Sequence, residues 1–470
     1  MAAKKTVNLE NLEGLGARRL AELLLEFGEE DADLKRRLRL ELAGEAGAEV
    51  IAADITKRLV ALRRARSFID WQKRRSFVKD IDLQREMIAT KVAETRPDLA
   101  LDLMWRFMDL AEPILNRVDD SSGYIGGVFR QACRDLGSLA DKAAPDPVQL
   151  ADRVFQAIRT NDYGEYDQLI HVIFSALREP GRARLKSRLS SALAKRPKTN
   201  DRYDPETATL QRALQALADG EGDVDAYMAH ESAASRKSPK VAAEIATRLL
   251  AAGRAEEAHA VLEEGSPEPG RPWSPDWELA WVEALLATER RNEAQSFRWS
   301  CFERRLDTSH LRAYLKALPD FEDVLAEEKA LDHALRFPDF STALAFFISW
   351  KALRYAARLV LERSTESDGN AYFLLDPAAK ALEGKHPLAA TILRRAMIED
   401  TLNGAKYKRY GHAARHMLEC QALDPSIEDY AAFETHDAFV NRIRAKHGRK
   451  TGFWSRLAEL TTSSTARPQI

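Results

Sequence analysis

The stretch Leu249-Leu250-Ala251-Ala252-Gly253-Arg254-Ala255-Glu256-Glu257-Ala258 returns 36 residues later as Leu285-Leu286-Ala287-Thr288-Glu289-Arg290-Arg291-Asn292-Glu293-Ala294. Each copy has a leucine pair ending one helix, a short turn, and an alanine five positions after the turn residue, Gly253 or Glu289. A looser third copy, Leu382-Glu383-Gly384-Lys385-His386-Pro387-Leu388-Ala389, keeps a small residue at the same offset, where two helix axes approach closely. A period of this length belongs to stacked helical hairpins. One hairpin cannot cover its own apolar face, so neighbours stack and leave a concave wall open to partners. The expected fold is all-α, a right-handed α-solenoid of stacked helical hairpins.

Composition agrees with that class. Gly and Pro number 22 and 18 of 470 residues, and the chain is dominated by Ala, Leu, Arg and Glu, all strong helix formers. Lys plus Arg at 71 against Asp plus Glu at 73 leaves a formal charge of −2, so no global field drives binding to nucleic acid or membrane and any such binding must be local. Cys133, Cys301 and Cys420 lie far apart and make no Cys-x-x-Cys pair, which fits a reducing compartment. Lys4 and Lys5 are not followed by an apolar run, and the longest such run, Ala343 to Ile348, is far short of the roughly 20 residues that span a bilayer. A cytoplasmic protein without membrane contact is expected, and the Ala- and Arg-rich usage points to a bacterial source.

Along the chain, helices are expected at 46–66, 68–95 and 97–118, the last apolar almost all round and therefore central. Others follow at 147–160 and 166–178. Pro180-Gly181, Lys195-Arg196-Pro197 and Asp204-Pro205 mark a linker, which places a boundary between an N-terminal helical domain, 1–200, and a repeat domain, 201–460. Residues 461–470 read as a disordered tail. No stretch alternates with period two, so no sheet is expected.

The 36-residue spacing and the small residue early in the second helix resemble tetratricopeptide-type repeats over roughly 205–320, without their usual Trp and Gly-x-x-Tyr marks. Taken whole, the chain resembles a family of uncharacterised bacterial helical proteins. The residues that carry this are Asn11-Leu12-Glu13-Gly14-Leu15-Gly16, Asp70-Trp71-Gln72-Lys73-Arg74-Arg75 and His447-Gly448-Arg449-Lys450-Thr451-Gly452-Phe453-Trp454. The part from about Tyr410 to Trp454 is similar to the helical region attached to SWIM-type zinc fingers. That resemblance implies nucleic-acid or protein interaction, but the finger's Cys-x-Cys and Cys-x-His pairs are missing here.

Two segments concentrate cations. The first holds Lys57, Arg58, Arg63, Arg64, Arg66, Lys73, Arg74, Arg75 and Lys79 against Asp70 alone, with Phe68, Trp71 and Phe77 interleaved. The second, 182–198, carries Arg182, Arg184, Lys186, Arg188, Lys195, Arg196 and Lys198 with no acid. Guanidinium groups neutralise phosphates and release counterions while aromatic faces stack on bases. The plainer reading makes the aromatics core anchors and the cations a solvated face or partners of acidic helices.

His412, His416 and Cys420 share one side of a helix, but two turns at about 1.5 Å per residue put the outer pair too far apart for one ion. A two-His metal site at His412 and His416, completed by His436 or Asp429, is the remaining option. The Glu-x-x-His pairs Glu256/His259 and Glu383/His386 resemble di-iron ligand spacing, with Pro387 working against the second. Gly123-Tyr124-Ile125-Gly126-Gly127 lacks the Lys-Ser/Thr ending of a phosphate loop and reads as a turn. No nucleophile elbow or dinucleotide fingerprint is present, so no catalytic residue and no cofactor is expected.

The leading expectation is a non-catalytic scaffold that presents a groove to a protein partner, bordered by Trp277, Trp281, Trp299, Trp350 and Tyr355, since aromatic residues are the usual interface anchors. The alternative is nucleic-acid binding through the segments 57–79 and 182–198. An enzyme ranks behind both.

Overall fold

In the computed structural model, which describes residues 7–30, 34–35, 38, 42, 47–196, 204–268 and 274–465, the same backbone turn closes one helix pair after another. A residue in the left-handed region ends the first helix: Gly222, Gly253, Glu289, Lys351 and Ala405 have φ of 70°, 74°, 60°, 62° and 48°. The next residue turns its N–H back to the carbonyl five positions earlier. These bonds run from Asp223 to Ala218, Arg254 to Leu249, Arg290 to Leu285, Ala352 to Phe347 and Lys406 to Thr401, at 2.8–3.0 Å. This is the Schellman closure, which satisfies carbonyls that a helix end would otherwise leave orphaned. The two quoted stretches therefore close in the same turn, and Lys351 takes that turn without its sequence advertising it. The third sequence copy closes differently: Gly384 is not left-handed, and the His386 N–H bonds to the Leu382 carbonyl at 2.7 Å ahead of Pro387.

The alanines at the repeated offset belong to the core. Ala258, Ala294 and Ala356 are wholly buried, as is Ala389 to within 1%. Much of the helix packing joins consecutive or next-but-one helices, such as Pro239–Ala251 with Ala255–Glu264 and Leu353–Glu362 with Pro387–Asn403, while in the first unit Trp71–Met87 also packs on the more distant Tyr124–Ala143.

All described secondary structure is helical or turn. The one strand-like feature among the described residues is an isolated parallel bridge between Ile69 and Val118. No helix among the described residues is long and apolar enough to cross a membrane. The chain divides into two compact units, Met1–Trp277 and Glu278–Ile470.

In the first unit the helix Pro97–Met108 is central, with Ala100, Leu103, Met104, Phe107 and Met108 essentially inaccessible and Phe107 against Phe129 at 5.3 Å. It stops at Met108 rather than reaching 118. Pro113 lacks an N–H and its ring would clash with the carbonyl four residues back, so only the short helix Ala111–Leu115 follows. The expected 68–95 helix begins at Trp71, where the Asp70 carboxylate caps the N–H groups of Gln72 and Lys73, and passes through a π-turn at Ile88–Val92. Residues 180–194 are not linker but the continuation of Leu169–Ala194 beyond a kink at Arg178. The core runs on through Leu210, Leu214 and Leu217. Gly137 is required here: a Cβ there would stand 2.3 Å from the Val172 carbonyl oxygen. Residues 461–465 continue the helix Thr451–Thr465, and 466–470 lie outside the described residues.

In the second unit a polar network ties three helices together. The buried Arg394 donates through Nε to Glu419 at 2.8 Å and through Nη2 to Glu383, while His416 Nδ1 lies 2.9 Å from Glu419. Burial pushes the Glu419 carboxyl up, but the His416 and Arg394 hydrogen bonds outweigh it and hold it at about 2.

Three outcomes are expected. Glu289→Gly and Lys351→Gly each raise stability by about 1 kcal/mol, because an L-residue in the left-handed region carries a steric cost that glycine does not. Ala356→Leu lowers it by roughly 1–3 kcal/mol through overpacking. Both are read from urea denaturation midpoints. Glu419→Gln destabilises the protein at pH 7 by roughly 1–3 kcal/mol, leaving a buried donor poorly matched. Since folding lowers the Glu419 pKa, its contribution is complete above its ordinary value of 4.5 and is lost as pH falls toward about 2. The gap between wild type and variant therefore narrows over that interval in pH-dependent melts.

Candidate nucleic-acid interface

The turn between Ala48–Arg64 and Trp71–Met87 is held from behind and open in front. Ile69, 7% exposed, donates its N–H to the Arg117 carbonyl at 3.0 Å, and Arg117 Nη1 donates to the Ser67 carbonyl at 3.0 Å. Arg74 Nη1 reaches the Asp119 carbonyl at 3.1 Å. With the backbone pinned, Phe68 and Trp71 face solvent, at 65% and 71% exposure. They are not core anchors. Phe77 does pack on the core, with the Arg117 guanidinium 5.6 Å from its ring centre.

The cations of this segment divide into two sets. Arg58 is ion-paired with Asp80, and Lys57 with Asp54 at 3.1 Å. Arg63, Arg64, Arg66, Lys73, Arg75 and Lys79 are exposed and, among the described residues, meet no carboxylate. Asp70 is committed to capping its helix. Arg63 and Arg64 also sit in the last turn of their helix, where positive charge is favoured by the helix dipole. What remains is a rigid turn with a local excess of positive charge and two open aromatic faces.

The second basic segment is built differently. Asp152 takes Arg184 at 3.0 Å and Arg188 at 2.6 Å, and these two hydrogen bonds hold its carboxyl below the ordinary aspartate range. Lys186 pairs with Glu221 at 3.1 Å, Arg196 with Asp204 and Glu206, and Arg182 lies over the Phe174 ring at 4.7 Å. Acids elsewhere in the chain thus pair with Arg184, Lys186, Arg188 and Arg196, whereas Arg182 and Lys195 meet no carboxylate among the described residues. Lys198 lies outside the described residues.

Of the five aromatics expected to border a groove, Trp277 is buried and the other four are half-buried against neighbouring rings. Trp277 is 3% exposed and donates Nε1 to the Leu262 carbonyl at 3.3 Å. Trp281 lies against Phe297, Trp299 against Phe302 and Tyr314, Trp350 stacks on Phe346, and Tyr355 on Phe347, with ring centres 5.1–6.4 Å apart. Trp350 also donates to Glu327 at 2.6 Å. Large apolar rings with a polar handle fill the space between successive helices because that is where their area is best buried.

His412 is exposed, whereas His416 is buried, bonded to Glu419 and stacked near Tyr372. Cys420 is buried and its thiol is raised to about 12 by desolvation. His386 has φ −137° and stands off the helix, so Glu383 and His386 do not share a helical face, and Glu383 serves Arg394. His259 is buried. Gly123, at φ 69°, forms a turn whose following N–H groups bond to Asp120.

Among the described residues, the group with metal-compatible spacing is Glu278, Cys301 and His310, all buried, with candidate ligand atoms within 4.8 Å of one another. Sequence reading could not find it, because the three lie on separate helices. Its chemistry favours an ion pair: Arg305 grips both Glu278 oxygens, Arg304 lies 3.8 Å away, and His310 Nε2 completes the shell at 3.2 Å. Burial raises the Cys301 thiol to about 11, which opposes the thiolate a metal would need.

The chain matches no curated protein and no solved structure. A family model described as a family of unknown function, DUF6880, matches residues 2–456, and the chain therefore belongs to that family.

Proposed function

We propose that the protein is a non-catalytic helical-repeat binding protein that engages the phosphate backbone of nucleic acid through the turn 63–79. The hairpins of each unit would stack in the right-handed α-solenoid manner of tetratricopeptide-like repeats, a reading supported by the recurrent left-handed turn and by packing between next-but-one helices. The observation that carries the function is the pairing of six cations lacking acidic partners among the described residues with two exposed aromatic rings, Phe68 and Trp71, on a turn held in place by Arg117. A core-facing role would bury the rings, and a purely structural role would supply counter-charges, as Arg184, Lys186, Arg188 and Arg196 have.

A protein partner is the second reading, now on a different surface from the aromatic residues that fill the helix packing. Phe321, Val324 and Leu325, at 83%, 54% and 68% exposure, lie among Glu322, Asp323, Glu327 and Glu328 at the start of the helix Glu322–Leu335. Exposed apolar side chains rimmed by charge are the mark of an interaction patch.

Fluorescence anisotropy with a fluorescein-labelled 20-nucleotide strand tests the first reading. Affinity is expected to fall steeply between 50 and 200 mM salt, about 0.7 in log–log slope per phosphate neutralised. Arg66→Glu with Arg75→Glu should weaken binding at least tenfold and flatten that slope, and Trp71→Ala should cost roughly 1–3 kcal/mol of stacking. Equal affinity for wild type and the double variant removes this reading. Capture of a protein from nuclease-treated extract that Leu325→Glu abolishes would favour the second.

A further inference from the structure

An acid-free basic stretch of the second unit was not singled out by its sequence. From Thr401 to Leu418 there is no Asp or Glu, while Lys406, Lys408, Arg409, His412, Arg415 and His416 all occur. Lys406 pairs with Asp400 at 2.8 Å, and the fold arranges the others around two clefts. One, of about 600 Å³, is lined by Tyr372, Phe373, Lys380 and Arg409, the other, of about 650 Å³, by Tyr407, Lys408, Tyr410 and Arg456, and His412 and Arg415 line both. Five cations thus face two carboxylates, Asp376 and Glu459, which already pair with Lys380 at 2.8 Å and Arg456 at 3.1 Å. Lys408 and Arg415 are exposed and, among the described residues, bond to no acid. Arg409 is fixed in place by Asn370 Oδ1 at 2.8 Å and by the Tyr372 ring at 4.8 Å.

Each cleft also has an open aromatic. Phe373 is 87% exposed and Tyr407 71%. Neither helps bury a core, and leaving such rings in water costs apolar burial that either could have contributed. We propose that these joined clefts bind single-stranded nucleic acid, with phosphates along the Lys408, Arg409 and Arg415 ridge and unpaired bases stacked on Phe373 and Tyr407. The occupant follows from charge and shape. Cations lining two clefts that share Arg415, each with one exposed ring, suit a backbone whose unpaired bases can splay to either side, which a duplex cannot do. Cleft volumes in the several-hundred Å³ range suit a nucleoside-sized group. The inference shares with the proposed function only the class of ligand, and it rests on other residues in the other unit.

The test uses the full chain and a fluorescein-labelled 20-nucleotide oligothymidine strand, with the corresponding duplex as comparison. Lys408→Glu with Arg415→Glu should weaken strand binding at least tenfold. Phe373→Ala with Tyr407→Ala should weaken it at least fivefold while leaving duplex binding unchanged, a split that loss of charge alone does not produce. Ultraviolet crosslinking of the wild type should place the strand on peptides containing Phe373 or Tyr407, which guards against a charge-reversed variant that folds poorly. If both variants bind as wild type and crosslinks fall only around Trp71, this inference fails while the proposed function stands. Where Arg66→Glu with Arg75→Glu is silent and the 408/415 variant is not, the reverse holds. Inorganic phosphate that displaces the strand at low millimolar concentration, with no effect of the aromatic variant, would reduce the clefts to a phosphate site and overturn the stacking claim. A wild type that binds no strand overturns it outright.

Discussion

A helix end that must turn back within three residues is the constraint on which this architecture depends. Four carbonyls are orphaned at each such end, and a left-handed residue followed by a backward N–H bond satisfies them while reversing the chain. The same solution recurs at Gly222, Gly253, Glu289, Lys351 and Ala405. Only two of the five are glycine. At the others the backbone accepts the steric cost of an L-residue, which the packing on either side must offset. Wholly buried alanines four residues beyond the bonded N–H at 254, 290 and 352 show where that packing lies.

With the backbone satisfied locally, long-range polar chemistry decides which surfaces stay charged. Asp152 and Glu221 meet Arg184, Lys186 and Arg188, and Arg305 and His310 surround the buried Glu278. Buried carboxylates of this kind persist only when paired. The turn at 63–79 and the ridge at 408–415 lack such partners among the described residues, and both are flanked by exposed rings. Functional argument therefore concentrates on what the fold leaves uncompensated. Net charge of −2 conceals both patches, because acids elsewhere on the chain balance them in the sum but not in space.

The repeat and the absence of period-two alternation sufficed to establish an all-helical chain, because helix periodicity and turn chemistry are local properties. The basic turn was legible for the same reason: its cations and its one acid are neighbours in sequence. Pro113, which ends the central helix at Met108, was equally visible in the residues and outweighs the apolar run around it. Tertiary structure alone decided burial and pairing. Trp277 and Trp350 look alike in sequence to Trp71, yet Trp277 is buried, Trp350 packs half-buried on the core and Trp71 faces water. The segment 182–188 looks as cationic as 63–79 until Asp152 and Glu221 are brought beside it, and Glu278, Cys301 and His310 become one cluster only when their helices pack. A charge or an aromatic ring acquires its role from neighbours distant along the chain, and those neighbours are fixed by packing rather than by spacing.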